Sequence, residues 1–117
     1  MRRMLVVEDE PQVREGLQKF FSARGFSVTT AFSGEEALEH IKQGLLDVVL
    51  LDILLPGISG LEVLKRIRAL HHTTKVVIIT ALEHTDLRAK AETYGADGYV
   101  TKPFDLSDET WAVVLAP

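Results

Sequence analysis

The sequence predicts an α/β fold, in which a doubly wound five-stranded parallel sheet is flanked by five helices. Short apolar runs alternate five times with segments of helical periodicity. Two of these runs, residues 48–51 (VVLL) and 76–79 (VVII), are aliphatic throughout, as in strands that are covered on both faces. Glycine or proline lies between most of the segments and marks the loops.

The first half of the chain contains two strand–helix pairs. A strand is predicted over residues 4–7, and Pro11 then stands near the first turn of a helix that ends at Gly25. Residues 26–31 alternate apolar and polar side chains and predict the second strand. The sequence SGEE at residues 33–36 is a capping box, which begins the second helix.

The second half continues the same alternation. The third strand, the aliphatic run at 48–51, ends in a carboxylate, Asp52, and Pro56-Gly57 then marks a loop. The further predicted elements are, in order, a helix over 59–70, a strand over 75–80, a helix over 85–94, a strand over 97–101 and a helix that begins near Asp105.

Helices between successive strands imply right-handed crossovers and a parallel sheet, and five strands fit the flavodoxin-like order 2-1-3-4-5. This order places the first and third strands side by side, so that Glu8 and Asp9 face Asp52. Three carboxylates in one crevice repel each other, and a hard divalent cation relieves the repulsion. Mg2+ fits better than Ca2+, because few protein oxygens are offered and room is left for water and phosphate oxygens. Taken singly, each acid has an alternative role as a helix or turn cap.

Two further strand ends lie at the same edge of the predicted sheet. The fourth strand ends at Thr80, whose hydroxyl is a donor, and the small Ala81 leaves the crevice open. Lys102 follows the fifth strand, and its ammonium group can pair with Asp52 or with a phosphoryl group. Considered alone, Thr80 is an ordinary strand-end threonine and Lys102 a solvated charge. A cis bond before Pro103 is one way to aim the ammonium inward.

Length and composition favour one soluble, cytoplasmic domain over residues 1–117. Thirteen basic and seventeen acidic residues give a net charge of -4, which argues against direct binding of nucleic acid. There is no cysteine, so disulfides and thiolate metal sites are excluded. The apolar runs are too short to span a membrane, and the N-terminus lacks the apolar core of a signal peptide.

Four segments in order resemble the receiver domains of bacterial two-component response regulators. They are residues 5–11 (LVVEDEP), 52–60 (DILLPGISG), 80–81 (TA) and 95–104 (GADGYVTKPF). Each segment alone is a weak signal, but all four at this spacing are highly specific. The resemblance covers the chain up to Phe104, and it implies a regulatory phosphoacceptor rather than an enzyme with catalytic turnover.

The resemblance also implies roles for the acidic residues. Asp52 would accept a phosphoryl group from a histidine kinase or a phosphotransfer protein. Asp9, Asp52 and the backbone carbonyl of Leu54 would bind Mg2+ directly, and Glu8 would act through a water molecule. Lys102 would hold the phosphoryl oxygens.

By the same resemblance, the domain is a conformational switch. Thr80 would move to hydrogen-bond the phosphoryl group, and Tyr99 would swing inward behind it. The face made by the fourth helix, the fifth strand and the fifth helix would then control an output domain, a partner or a homodimer. Tyr99 has an alternative role as a half-buried aromatic residue of the strand.

Other functions differ in the residues that they require. A phosphohydrolase of the haloacid dehalogenase type also uses a strand-end Asp, but it needs a second acid where this chain has Leu54. A flavin phosphate would be repelled by the acidic residues 8–10. A degenerate receiver that acts only as a binding module is a third alternative, against which the complete set of acids, Thr80 and Lys102 argues.

The C-terminal segment departs from the family pattern. On a helical wheel Leu106, Val113 and Val114 share one face, and Trp111 and Leu115 fall nearly opposite. Two alternatives follow: Trp111 and Leu115 form an apolar contact with another domain or chain, or the sequence is a fragment of a longer regulator. The abrupt end after a helix without a polar tail favours the fragment. The segment has no basic residue, which argues against a dimer mediated by charge.

We predict a slow loss of the phosphoryl group in this chain. By the same resemblance, the side chains two residues after Asp52 and two after Thr80 influence the access and orientation of the water that hydrolyses the phosphoryl group. These residues are Leu54 and Leu82, and neither side chain can orient a water. The test is the decay rate of the phosphorylated domain before and after Leu82→Glu. Decay that is unchanged by the substitution would contradict the prediction.

Overall fold

Five parallel strands form the centre of the molecule in this computed structural model, which describes residues 2–71, 73–81 and 85–116. The strands are β1 (Arg3–Val7), β2 (Ser27–Ala31), β3 (Val48–Asp52), β4 (Lys75–Thr80) and β5 (Gly98–Thr101). Their order across the sheet is β2-β1-β3-β4-β5, and all neighbouring pairs are parallel. The predicted fold class and strand order are confirmed.

Helices cover both faces of the sheet. They are α1 (Pro11–Ser22), α2 (Gly34–Lys42), α3 (Gly60–Leu70), α4 (Thr85–Thr93) and the short α5 (Ala112–Leu115). Successive strand residues point to opposite faces, so each strand contributes to two separate cores. Leu5, Val7, Val49 and Leu51 pack in the core that includes α2, α3 and α4 residues. Met4, Val6, Val48 and Leu50 pack with α1 and the C-terminal segment.

The helix starts and stops follow the signals in the sequence. Pro11 is the first residue of α1, and Gly25 beyond its end has a positive φ of 90°. The side chains of Ser33 and Ser59 accept hydrogen bonds from the backbone N–H groups of Glu36 and Glu62, at 3.1 and 3.2 Å. These bonds satisfy N–H groups that the helix itself leaves unpaired. In the part of the chain that the structure describes, no helix has the length and apolar character needed to cross a membrane.

The prediction of a last helix that begins near Asp105 is wrong, because α5 starts only at Ala112. The Asp105 side chain accepts hydrogen bonds from the hydroxyls of Ser107 and Thr110. Its backbone carbonyl accepts one from the Trp111 indole Nε1, at 2.9 Å. Short polar side chains that bond within a turn compete with helix formation, and they replace the predicted first turns here.

The predicted outward position of Trp111 and Leu115 is also wrong. Trp111 is fully buried, and its ring meets those of Phe104 and Phe21 edge-on, with centroids 5.0 and 5.5 Å apart. Leu115 is partly buried against the same core, whereas Leu106 is 45% exposed. The helical wheel failed because residues 105–111 are not helical, so their spacing does not follow 3.6 residues per turn.

We expect Trp111→Ala to lower the free energy of unfolding by about 3–5 kcal/mol, because it leaves a cavity in the aromatic core. Urea denaturation followed by circular dichroism measures the change. Leu106→Ala is the control, with an expected loss of about 1 kcal/mol or less, since that side chain is already half in water. Trp111 is the only tryptophan, so its burial can be tested by quenching of tryptophan fluorescence with acrylamide. Quenching that is as strong in the native as in the unfolded protein would contradict the burial of Trp111.

Candidate functional site

The carboxyl ends of the parallel strands bring polar side chains to one edge of the sheet. The pairs Asp52–Ile79 and Thr80–Thr101 align the ends of β3, β4 and β5. Glu8, Asp52 and Thr80 are all buried there, with 0, 2 and 0% of their surface exposed. Of the described residues that are polar or charged and buried, only Thr74 lies outside this group. Buried polar groups require partners, so this edge is the place where a site is expected.

Lys102 is at the centre of the cluster. Its Nζ lies 2.6 Å from Glu8 Oε1, 2.9 Å from Glu10 Oε1 and 3.0 Å from Asp52 Oδ2. The peptide bond between Lys102 and Pro103 is cis. The backbone N–H of Lys102 donates to the carbonyl of Thr80 at 2.7 Å, which extends the pairing of β4 and β5 up to the site. The Lys102 backbone is therefore held by the end of β4, and its ammonium group is held by carboxylates.

Asp52 is fixed through both of its carboxylate oxygens. Oδ1 accepts a hydrogen bond from the backbone N–H of Leu54 at 3.0 Å, and Oδ2 accepts one from Lys102. Gly60, the first residue of α3, lies directly against the backbone carbonyl of Asp52, and a Cβ atom there would collide with it. The glycine thus allows α3 to approach the end of β3 closely, which holds the loop that carries Leu54 beside Asp52.

The loop after β1 is fixed in a similar way. Glu8 Oε2 accepts a hydrogen bond from the backbone N–H of Glu10 at 3.0 Å. Arg14 donates to the backbone carbonyl of Glu8 at 2.8 Å, and the Glu8 N–H donates to Ala31 of β2. Glu8 Oε1 lies close to the Lys102 ammonium but lacks the geometry of a hydrogen bond, so this oxygen has only an ion pair.

The cluster shifts the pKa values of its members. Burial raises the pKa of Asp52 above its ordinary value, and the hydrogen bonds from Lys102 and the Leu54 N–H only partly oppose this; the charge of Asp9 adds to the rise. Burial likewise raises the pKa of Glu8, against the effects of Lys102 and the Glu10 N–H. Burial lowers the pKa of Lys102, but its contacts with the three carboxylates outweigh burial and raise the pKa overall. One cation therefore compensates the buried acids incompletely.

The residues present fit a hard divalent cation. Glu8, Asp9 and Glu10 each offer a carboxylate oxygen, and these oxygens lie within 4.8 Å of one another. Asp9 is exposed and leaves coordination positions open to solvent, and Glu8 Oε1 is a buried oxygen without a hydrogen bond. Oxygen-only donors with open positions are typical of Mg2+ sites. The sequence reasoning did not include Glu10 among the site residues, because its contact depends on the reach of Lys102 from a distant loop.

The other predicted site residues lie around this cluster. Thr80 is buried at the end of β4, one strand away from Asp52. Tyr99 is half-buried on β5, and the Arg88 guanidinium of α4 lies over its ring, 5.2 Å from the centroid. The Leu54 side chain is 50% exposed beside the site. Leu82 lies outside the described residues.

Comparison with known proteins identifies the family. The family model for the response regulator receiver domain matches residues 4–113. The chain belongs to the response regulator receiver domain family. The family expected from the four sequence segments is thereby confirmed.

The sequence is also similar to named regulatory proteins of bacteria. The receiver domain is 45% identical over 106 residues to the transcriptional regulatory protein DltR of Streptococcus agalactiae. The aligned residues cover 91% of this chain and 47% of DltR. The chain thus spans about half the length of the curated relatives that it matches.

Solved structures share the fold. TrrA of Thermotoga maritima, a response regulator protein in complex with Mg2+ and BeF, is 40% identical, with a TM-score of 0.84 over 97% of both chains. A CheY-like receiver domain from Methanospirillum hungatei has a TM-score of 0.91 over 97% of this chain and 91% of its own, at 24% identity, which shows the fold alone. The receiver domain is a phosphoacceptor signalling switch of two-component systems, as the sequence predicted.

We expect Asp52→Asn to stabilise the receiver domain in the absence of Mg2+, by about 1 kcal/mol. A carboxyl group whose pKa is raised by folding is less stable as an anion in the folded than in the unfolded state, so at neutral pH its charge opposes folding. The neutral amide removes this effect. Thermal unfolding in EDTA measures the difference.

Glu15→Gln is the matched control, because Glu15 is exposed on α1 and the substitution changes the net charge equally. Its stability should stay within about 0.5 kcal/mol of the wild type. A variant Asp52→Asn that is less stable than the wild type would show that the partners of Asp52 outweigh the effect of its burial.

Proposed function

We propose that Asp52 accepts a phosphoryl group from a histidine kinase or a phosphotransfer protein. The observation that supports this proposal best is the setting of its carboxylate. Asp52 is buried at the end of β3, one oxygen is held by the Leu54 N–H and the other by Lys102, and Lys102 also lines an open groove. This arrangement orients a nucleophile and places a positive charge where phosphoryl oxygens would lie.

In the proposed step, an oxygen of Asp52 attacks the phosphorus of a phosphohistidine. The new O–P bond forms as the P–N bond breaks, and the imidazole leaves with the electron pair of that bond. Lys102 compensates the negative charge on the phosphoryl oxygens, which is the main contribution that a protein makes to this reaction. Asp9, Asp52 and the carbonyl of Leu54 would hold Mg2+, with Glu8 acting through water. When bound, the ion supplies further compensation of that charge.

The modification adds about one negative charge at the edge of the sheet. Thr80 ends β4, the strand beside β3, and Lys102 follows β5 and already contacts Asp52, so this charge would draw both side chains toward it. Movement of Thr80 would open space for Tyr99, whose ring is in contact with Arg88 of α4. Such contacts shift a population between two arrangements when these differ by only a few kcal/mol.

The proposed readout is the face of α4, β5 and α5, which would control an output domain, a partner or a homodimer. Relatives such as DltR are named transcriptional regulatory proteins and are about twice as long as this chain, which supports an output in transcription. Because α5 has only four residues, α4 and β5 would form most of this face. The proposal places the domain in the cytoplasm, as a regulator that acts without catalytic turnover.

The test is incubation with Mg2+ and either acetyl phosphate or a kinase. We expect one acid-stable, base-labile phosphoryl group per chain, absent in Asp52→Asn and in samples with EDTA. Asp108→Asn, an exposed aspartate of the C-terminal segment, is the control and should be labelled like the wild type. Continuous release of phosphate would favour a hydrolase instead, and the absence of labelling would favour a receiver that acts only as a binding module.

A further inference from the structure

Glu10 is the third carboxylate on Lys102, and it differs from the other two. Its Oε1 lies 2.9 Å from Nζ, yet its side chain is 60% exposed, whereas those of Glu8 and Asp52 are 0 and 3% exposed. Glu10 is also the residue that precedes α1, where a side chain commonly caps the helix. The Glu10 side chain makes no capping bond and extends to Lys102 instead.

Three carboxylates surround the Lys102 ammonium group within 3.0 Å. Glu10 and Asp52 accept hydrogen bonds from it, and Glu8 is held by an ion pair. A phosphoryl group on Asp52 that draws the ammonium group toward its own oxygens therefore draws it away from Glu8 or from Glu10. Glu8 is fully buried, and its Oε1 has no hydrogen bond, so loss of Lys102 would leave a buried charge without compensation. Glu10 is solvated, and water can replace Lys102 at small cost.

We propose that Glu10 is a positioning residue for phosphoryl transfer, which holds the Lys102 ammonium in the unmodified domain and competes with the phosphoryl group for it. This inference rests on the proposed function of Asp52. Glu10 keeps the ammonium beside Asp52 before the reaction, and it is the partner that Lys102 leaves afterwards.

The surroundings of the pair allow this exchange. A groove of about 390 Å3 opens beside the pair, and its wall includes Val13, Ala81, Pro103 and Phe104 in addition to Glu10 and Lys102. The Glu10 side chain lines this groove and is mostly exposed, so there is open space beside it when Lys102 leaves. Glu8 and Asp52 have no comparable freedom, since each also accepts a backbone hydrogen bond.

The probe for this competition is beryllofluoride with Mg2+, which is the combination present in the TrrA structure. Isothermal titration calorimetry gives its dissociation constant at fixed Mg2+. We expect Glu10→Gln to bind it about 3- to 10-fold more tightly than the wild type, because Lys102 no longer leaves a charged partner. Tighter binding by Glu10→Gln distinguishes this role from a merely structural one. If Glu10 only supported the structure, its substitution would weaken the binding of beryllofluoride or leave it unchanged.

Two further variants separate contact from charge. Glu10→Asp keeps the negative charge but is one methylene shorter, so it loses the contact with Lys102, and we expect it to bind more tightly as well. Glu15→Gln, an exposed position on the helix that follows Glu10, should match the wild type. If Glu10→Asp matches the wild type while Glu10→Gln binds more tightly, simple repulsion explains the effect and the inference is overturned.

The remaining outcomes are distinct. If the wild type binds beryllofluoride and Glu10→Gln binds it equally or more weakly, the role of Glu10 is overturned and the proposed function stays intact. A wild-type domain that does not bind beryllofluoride with Mg2+ overturns both.

Discussion

The ion pairs of Lys102 are the interaction on which this site depends. Two buried carboxylates, Glu8 and Asp52, lie within 3.0 Å of one ammonium group, and the pKa of both acids remains raised in spite of it. Burial of the two acids opposes folding, and the contacts with Lys102 offset part of this cost. The apolar packing elsewhere supplies the remaining stability. The negative charge of the two acids is incompletely compensated by Lys102. This excess of negative charge favours the binding of a further cation or a rearrangement of Lys102.

The two ends of the sheet are built differently. At the end opposite to the site, the Arg68 side chain of α3 donates to the carbonyls of Thr74 and Gly95, at 2.5 and 2.6 Å, and pairs with Asp97 at 2.7 Å. Asp97 in turn accepts the backbone N–H of Val76. These bonds tie α3, the loop before β5 and the start of β4 together. At the site, the contacts join side chains on separate loops, so a change of charge there can move loops while the opposite end stays fixed.

The C-terminal segment gives this receiver domain a fifth helix of only four residues. Trp111 fills the core between Phe104 and Phe21, so the aromatic residue stabilises the domain and offers no surface to a partner. Lys75 donates to the carbonyl of Val113 at 2.8 Å, which anchors the short α5 to the start of β4. With a turn in place of the first part of the helix, the surface beside β5 is a groove lined by Tyr99, Phe104 and Thr110. A partner that reads this face would meet strand and turn rather than a long helix.

The sequence by itself determined the alternation of strands and helices and their caps, because hydrophobic periodicity and turn residues are local signals. It also determined that Glu8, Asp52, Thr80 and Lys102 meet, because the connection rules for parallel sheets fix which strand ends are neighbours. It did not determine the structure of residues 105–111, where apolar spacing suggested a helix and hydrogen bonds to Asp105 stabilised a turn. It also missed Glu10, because an ion pair between residues ninety-two positions apart depends on the direction of a long side chain. Only the tertiary structure decided these points, since side-chain direction and competing hydrogen bonds are settled by packing rather than by sequence pattern.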